Sequence, residues 1–157
     1  MTKIDLSCNE IIENYSDMVY RIAISQVGNK NDADDIYQEV FLQLIRHISS
    51  LKSEKHVKYW LIRTTINKCK NHLSSFWRNN ITETDLNSFT NNNTEVDDVY
   101  YLVLALKPKF KSVVYLHYYE GYKIDEIALI LKSRPGTIKS RLYKARNILK
   151  KQIAKGD

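Results

Sequence analysis

Cysteine, proline and glycine are all scarce in this sequence, with 2, 2 and 4 residues respectively among 157. Cys8 and Cys69 lie far apart and match no metal-ligand spacing, whereas a zinc site needs four donors in a compact pattern. The four His residues form neither a catalytic triad nor a metal motif, and no Gly-rich phosphate loop is present. These absences argue against an enzyme, and we expect neither a cofactor nor a metal site.

Long apolar runs are also missing. No stretch approaches the roughly 20 apolar residues that a membrane span requires, and the N-terminus lacks an apolar core of signal-peptide length. Both thiols are expected to stay free in a reducing compartment, so we predict a soluble cytoplasmic protein. The 43% apolar content is enough for a packed core, which argues against wholesale disorder.

Apolar residues recur at helical spacing along most of the chain. The pattern predicts helices over residues 10–27, 32–47, 57–76, 97–106, 109–119, 124–131 and from 135 onward. Asn31 is the predicted cap of the second helix. Residues 78–96 are rich in Asn and Thr and lose the periodicity, which indicates a flexible linker. We therefore predict an all-α fold with two small helical domains, residues 1–77 and 97–157.

Charge is unevenly distributed along the chain. Residues 99–157 carry 13 Lys/Arg and 4 Asp/Glu, a net charge of +9, whereas residues 1–77 have a net charge of +1. Residues 78–98 have a net charge of −4, so an acidic joint separates the two parts. A basic excess could serve solubility alone, but its concentration in one short segment favours a polyanionic partner.

Two short amphipathic patterns, residues 124–131 and 135–149, flank a break at residues 132–134. Pro135 suits the first position of the second helix, since its missing N–H costs little there. Residues 132–151 hold eight Lys/Arg and no acid, and a phosphate backbone would relieve the resulting repulsion. The arrangement is typical of a helix-turn-helix that inserts its second helix into a DNA groove. A helix lying on a membrane is the alternative, but the outer face is poor in apolar residues.

Two helices of the N-terminal half carry contrasting polar residues. Asp35, Gln38 and Glu39 form an acidic stripe on the second helix, which is either a solvated face or a docking surface. Residues 55–82 hold six Lys/Arg, no acid, and interleaved aromatic rings such as Trp60. Cations follow phosphates while aromatic faces stack on unpaired bases, so single-stranded nucleic acid is a candidate ligand. The alternative is that both Trp residues belong to the core.

Four short motifs occur in an order that is found in one protein family. They read DADDIYQEVF at 32–41, WLIR at 60–63 followed by Asn67, LKP at 106–108 and GTIKSRL at 136–142. Together they resemble the motifs of bacterial RNA polymerase sigma factors of the extracytoplasmic-function (ECF) class, which have two conserved domains. By this resemblance, residues 1–77 would be sigma region 2 and residues 97–157 would be sigma region 4.

The resemblance implies a protein that binds core RNA polymerase and directs promoter-specific transcription initiation, by recognising −35 duplex and melted −10 DNA. It places Asp35, Gln38 and Glu39 against the clamp helices of the polymerase β′ subunit. The implied −10 DNA-binding residues are Lys58, Tyr59, Trp60, Arg63, Asn67, Lys70 and Asn71. The implied −35 DNA-binding residues are Arg134, Pro135, Gly136, Thr137, Lys139, Ser140, Arg141, Tyr143, Lys144 and Arg146. The polymerase β flap and an anti-sigma factor are further implied partners.

The sequence departs from the family pattern in both domains. The turn of the family usually reads LGIS, whereas residues 131–134 read LKSR, so we expect a less stable C-terminal domain and a shifted −35 preference. Asn71, Ser74 and Ser75 also differ from the residues common in the family, which leaves the individual −10 contacts open. Asn67 matches a family Asn that lies in a loop or helix end and accepts a flipped base.

The alternative function is a helix-turn-helix transcriptional regulator whose N-terminal half senses a ligand or dimerises. Such a domain would need neither the acidic stripe nor an acid-free stretch with interleaved aromatic rings. These two features therefore discriminate between the two hypotheses, and they favour a sigma factor.

Overall fold

The structure, a computed structural model, describes residues 7–78 and 98–156. Side chains are described for residues 7–73 and 99–155. Within these ranges every regular element is a helix, which confirms the predicted all-α fold.

The chain divides into an N-terminal unit, residues 1–71, and a C-terminal unit, residues 72–157. The predicted linker, residues 78–96, lies outside the described residues except for Arg78, which ends a helix. Each unit has its own set of buried apolar side chains, so we describe them separately.

Residues 7–78 contain three α-helices, and all but the last turns of the third belong to the N-terminal unit. They are α1 (Cys8–Val27), α2 (Lys30–His47) and α3 (Glu54–Arg78), with a 3-10 turn at Ile48–Ser50. Their core includes Ile11, Val19, Ile22, Ala33, Ile36, Val40, Phe41, Leu44, Leu61, Ile62 and Ile66. Each fully buried Ile or Leu contributes roughly 1.5–3 kcal/mol, so this shared apolar face is what holds the three helices together.

Both ends of α1 are closed by local hydrogen bonds. The Ser7 hydroxyl accepts the N–H of Glu10 at 3.2 Å, which satisfies one of the free donors of the first turn. Gly28 has φ 79° and donates its N–H to the Ile24 carbonyl at 2.9 Å. Gly28 therefore ends α1, since this left-handed conformation is open to glycine at no steric cost.

The cap of α2 is Asn29, so the predicted cap at Asn31 is wrong. The Asn29 side-chain oxygen accepts the N–H of Asp32 at 2.9 Å, and its Nδ2 donates to the Asp32 carboxylate at 2.7 Å. Asn29 is free to cap because it is extended, with φ −143°, directly after the left-handed Gly28. Asn31 already lies inside the helix.

The third helix begins earlier than its apolar periodicity indicates. Ser53 accepts the N–H of His56 through its hydroxyl at 3.0 Å and the N–H of Val57 through its carbonyl at 3.0 Å, so α3 begins at Glu54. The connection before α3, residues 51–53, contains Leu51, which is 5% exposed. Part of this connection therefore belongs to the core.

In the described part of the C-terminal unit, residues 98–156 contain four α-helices. They are α4 (Asp98–Leu104), α5 (Pro108–Val114), α6 (Ile124–Leu131) and α7 (Pro135–Gly156). Its core includes Val103, Phe110, Val113, Val114, Leu116, Ile127, Ala128, Ile130, Ile138, Leu142 and Ala145. Ile130 of α6 is fully buried, as is Ile127.

A π-helical turn at Tyr115–Tyr119 continues α5, where the sequence predicts an uninterrupted α-helix. The Glu120 N–H donates to the Tyr115 carbonyl five residues earlier, at 3.1 Å, and Gly121 ends the segment with φ 80°. His117 is half-buried, and its Nδ1 lies 2.8 Å from the Tyr122 carbonyl oxygen. The π turn widens the helix locally, which brings His117 to the edge of the core.

The turn between α6 and α7 places a lysine in the left-handed conformation. Lys132 has φ 53° and ψ 46°. The Ser133 N–H donates to the Ala128 carbonyl at 2.9 Å, and the Lys132 N–H to the Leu129 carbonyl at 3.4 Å, which is a Schellman end. A left-handed residue with a Cβ costs about 1–2 kcal/mol, so this turn is strained at the position where the family pattern has glycine.

We expect Lys132→Gly to stabilise the C-terminal unit by about 0.5–1 kcal/mol, because glycine relieves the left-handed strain at some cost in unfolded-state entropy. Native-state hydrogen exchange of amides in α6 and α7 measures the change. Lys151→Gly is the matched control, because Lys151 lies inside α7 and glycine there should destabilise by about 1 kcal/mol. If Lys132→Gly destabilised the unit as Lys151→Gly does, the backbone at Lys132 would not be strained.

Candidate nucleic-acid interface

One exposed face of α2 combines charged, polar and apolar residues. Asp35, Gln38 and Glu39 are all exposed, as the acidic stripe predicts. Leu42 and Ile45, at 56% and 55% exposure, continue the same face one and two turns further on. We call these five residues the α2 stripe. The sequence analysis did not include the two apolar members, Leu42 and Ile45. Their signal in the sequence is that both lie outside the helical stripe that forms the core.

The α2 stripe is connected to α3 by an ion pair. The Lys68 ammonium lies 3.5 Å from the Glu39 carboxylate, whose side chain remains 61% exposed. Exposed pairs of this kind contribute about 0–1 kcal/mol, so the pair matters little for stability. Its consequence is electrostatic, because Lys68 partly neutralises the charge of Glu39 within the stripe.

On α3, most of the predicted −10 residues share one face. Tyr59, Arg63, Asn67 and Asn71 follow one another at four-residue spacing, and Trp60 and Lys70 flank that row, so all six lie within one side of the helix. Asn67 is exposed in the middle of α3, not in a loop or helix end as the family match implied.

Lys58 does not belong to this face. It precedes the fully buried Leu61 and Ile62 by three and four residues, which puts its Cβ on the core side of α3. The structure therefore separates Lys58 from the other predicted −10 residues.

The aromatic residues on α3 are partly buried. The Trp60 ring lies 5.8 Å from the His47 ring, and the Lys55 ammonium lies 5.4 Å from the Tyr59 ring centroid. Partial burial lowers the pKa of Arg63, but an arginine remains charged at neutral pH. Trp60 is half-buried, so one part of its ring packs against the protein and another part faces solvent.

The second helix of the helix-turn-helix, α7, has a sharply divided surface. Ile138, Leu142 and Ala145 are at most 1% exposed and anchor it. The exposed predicted −35 residues are Arg134, Pro135, Gly136, Lys139, Ser140, Tyr143, Lys144 and Arg146, whereas Thr137 and Arg141 are half-buried. All ten therefore reach the surface, and the side opposite the core is basic.

Gly136 is not required by the fold. Its φ is not positive, and a Cβ added to it would meet no atom within 4 Å. We expect Gly136→Ala to leave stability unchanged or to raise it by up to about 1 kcal/mol, because alanine favours helix. If the start of α7 abuts DNA, the added methyl group should weaken duplex binding severalfold, measured by fluorescence anisotropy alongside thermal unfolding. Unchanged affinity would place Gly136 outside the interface.

The described residues offer little support for other classes of site. Nowhere in residues 7–78 and 98–156 are His, Cys, Asp and Glu side chains grouped so that they could hold a metal ion. No helix in the described part of the chain is both long enough and apolar enough to cross a membrane.

Comparison with known proteins gives consistent matches over both units. The family model for Sigma-70 region 2 matches residues 11–79, and that for Sigma-70, region 4 matches residues 97–149. The chain is 27% identical over 150 residues to RNA polymerase sigma factor SigV of Bacillus subtilis (strain 168), covering 93% of this chain and 90% of that protein. It is 25% identical over 167 residues to the ECF RNA polymerase sigma factor SigW of the same strain, covering 92% and 87%.

A solved structure has the same fold. The sigma factor RpoE from Bartonella quintana, crystallised with the anti-sigma factor NepR, superposes with a TM-score of 0.69 at 18% identity, covering 91% of this chain and 94% of that chain. The two matched regions together span most of the sequence, in the order that the four motifs indicated. The chain therefore belongs to the sigma-70 family of RNA polymerase sigma factors, within the ECF class.

Proposed function

We propose that this protein is a dissociable subunit of RNA polymerase that directs the enzyme to a class of promoters and helps to open them. It acts as an initiation factor in the cytoplasm and is not itself an enzyme. The C-terminal unit binds the −35 duplex through α7, and the N-terminal unit binds the melted −10 strand through α3. Core polymerase binds through the β′ clamp helices to the α2 stripe, and through the β flap to the C-terminal unit.

One observation carries this proposal. The same chain combines the basic, exposed face of α7 with a solvent-exposed stripe on α2 that holds two large apolar residues, Leu42 and Ile45. Burying the exposed half of each of these side chains in a protein interface would gain about 1 kcal/mol, roughly half the value for a fully exposed Leu or Ile. A duplex-binding regulator has use for α7 alone, whereas a polymerase subunit needs both surfaces.

An anti-sigma factor is a further proposed partner. The sigma factor RpoE, whose fold this chain shares, was crystallised with the anti-sigma factor NepR. A protein that covered the α2 stripe or α7 would block polymerase or promoter binding, and so would keep this chain inactive.

Transcription with purified components tests the function. Core polymerase plus this chain is incubated with fragmented genomic DNA, and the 5′ ends of the transcripts are sequenced. We expect co-elution of the chain with core polymerase, and start sites that share two upstream sequence elements. Tight duplex binding by the chain alone, without co-elution, would favour the regulator.

We expect Asn67→Ala to impair promoter opening more than duplex binding. The exposed amide of Asn67 can read a base edge only after the base leaves the stack, and loss of such a contact costs about 1–3 kcal/mol. Opening is followed by permanganate reactivity of unpaired thymines, and duplex binding by anisotropy with the same holoenzyme. Asn14→Ala, at an exposed asparagine of α1, is the matched control. Equal loss in both measurements would rule out base capture.

A further inference from the structure

A tyrosine outside the predicted interface contacts an arginine inside it. The Arg146 Nη1 of α7 donates a hydrogen bond to the Tyr118 hydroxyl at 3.2 Å. Tyr118 belongs to the π-helical turn, is 51% exposed, and is 28 residues away in sequence. Its hydroxyl therefore lies at the surface, where it holds the end of a long and otherwise mobile side chain.

The π turn and His117 fix the position of the Tyr118 ring. The His117 ring packs against it at 4.7 Å between centroids with planes 77° apart, and the His117 Nδ1 lies 2.8 Å from the Tyr122 carbonyl oxygen. The Tyr122 N–H in turn donates to the Leu116 carbonyl at 3.0 Å. Each of these contacts involves residues of the π turn or its end, so the turn provides a rigid support for the hydroxyl.

The position of Arg146 along α7 favours a phosphate partner. Arg146 lies ten residues beyond Gly136, and a rise of 1.5 Å per residue places it about 15 Å further along the helix axis. The major groove is about 12 Å wide, so a residue this far from the inserted helix start lies beside the sugar-phosphate backbone. Lys139, Tyr143 and Lys150 share its side of α7, at seven, three and four residues from Arg146 respectively.

We propose that Tyr118 is a positioning residue for DNA binding, which holds the Arg146 guanidinium in place for a backbone phosphate. An arginine has five N–H donors, and the bond to Tyr118 uses one, leaving others for the phosphate oxygens. Ordering a flexible side chain before binding removes part of the entropic cost of forming the contact. This inference rests on the proposed function, because it assumes that α7 binds duplex DNA.

Tyr118→Phe tests the proposal, since it removes only the hydroxyl. The probe is a 30-base-pair mixed-sequence duplex, titrated with the full chain at several salt concentrations. We expect Tyr118→Phe to weaken binding about two- to tenfold without changing the salt slope, because the number of phosphate contacts stays the same. Arg146→Ala should weaken binding further and flatten the salt slope by about one unit.

The double variant separates positioning from a general structural effect. In an Arg146→Ala background, Tyr118→Phe should have no further effect on affinity. As a single substitution in the DNA-free protein, Tyr118→Phe should increase the mobility of the Arg146 side chain, measured by NMR relaxation of its Nε. Tyr119→Phe removes a hydroxyl from the next exposed tyrosine and should leave affinity unchanged. The inference would be overturned if Tyr118→Phe lowered duplex affinity equally with and without Arg146. It would also be overturned if the Tyr118→Phe protein bound the duplex with wild-type affinity. Absence of duplex binding by the wild-type chain would instead overturn the assignment of α7 to duplex binding, on which the inference rests, and would leave the test with core polymerase unaffected.

Discussion

We expect Leu42→Gln to weaken binding to core RNA polymerase by about tenfold to hundredfold. Leu42 is 56% exposed in the middle of the α2 stripe, so the substitution removes no internal packing of consequence. Glutamine and leucine have similar helix propensities, which leaves α2 intact. If a polymerase surface covers Leu42, the substitution loses the transfer free energy of the exposed half of the side chain, about 1 kcal/mol, and desolvates an amide, which costs about 0.5–2 kcal/mol more.

Biolayer interferometry with immobilised core polymerase measures this affinity. Leu129→Gln is the matched control, because Leu129 is 62% exposed on α6 and does not belong to the α2 stripe, and the same change there should weaken core binding less than Leu42→Gln does. Thermal unfolding should be the same for both variants. An effect of Leu42→Gln no larger than that of Leu129→Gln would remove Leu42 from the polymerase-binding surface.

The second large effect is expected in the core of the C-terminal unit. Leu142 is 1% exposed on the inner face of α7, and truncation of such a leucine costs about 2–5 kcal/mol. A unit of this size has a total stability of only several kcal/mol. We therefore expect Leu142→Ala to unfold α6 and α7 in much of the population and to abolish −35 duplex binding.

Hydrogen exchange followed by mass spectrometry locates this loss within the chain. Protection should fall in peptides from α5 to α7, whereas peptides from α1 and α2, which belong to the other unit, should keep theirs. Leu129→Ala makes the same chemical change at an exposed position of the same unit and should leave protection unchanged. Retained protection of α7 in the Leu142→Ala protein would contradict the prediction.

Much of the fold follows from local sequence signals. The prolines at 108 and 135 both stand at the first helical position, and the glycines at 28 and 121 both take positive φ at helix ends. The π turn was missed because apolar spacing is nearly the same for an α-helix and for one with a single wide turn. The left-handed Lys132 could be suspected only from the family pattern, since lysine has no preference for that conformation.

The candidate site was predictable in its charged parts and less so in its apolar parts. The basic face of α7 follows from periodicity, because the core positions Ile138 and Leu142 define which side is exposed. Leu42 and Ile45 were missed because reasoning from one sequence assigns large apolar residues to the core by default. The prediction for Lys58 rests on its position in the family segment, and sequence position alone does not define the side of α3 on which a residue lies.

The π turn also determines the register between two helices. A π turn contains one residue more than the α-helical turn it replaces, and deletion of that residue would let the segment close as ordinary α-helix. Everything after the deletion would then rotate by about 100° and shift by about 1.5 Å relative to α5. The direction in which α6 enters the helix-turn-helix therefore depends on a single inserted residue, so a one-residue deletion within Tyr115–Tyr119 should be far more disruptive than any single substitution there.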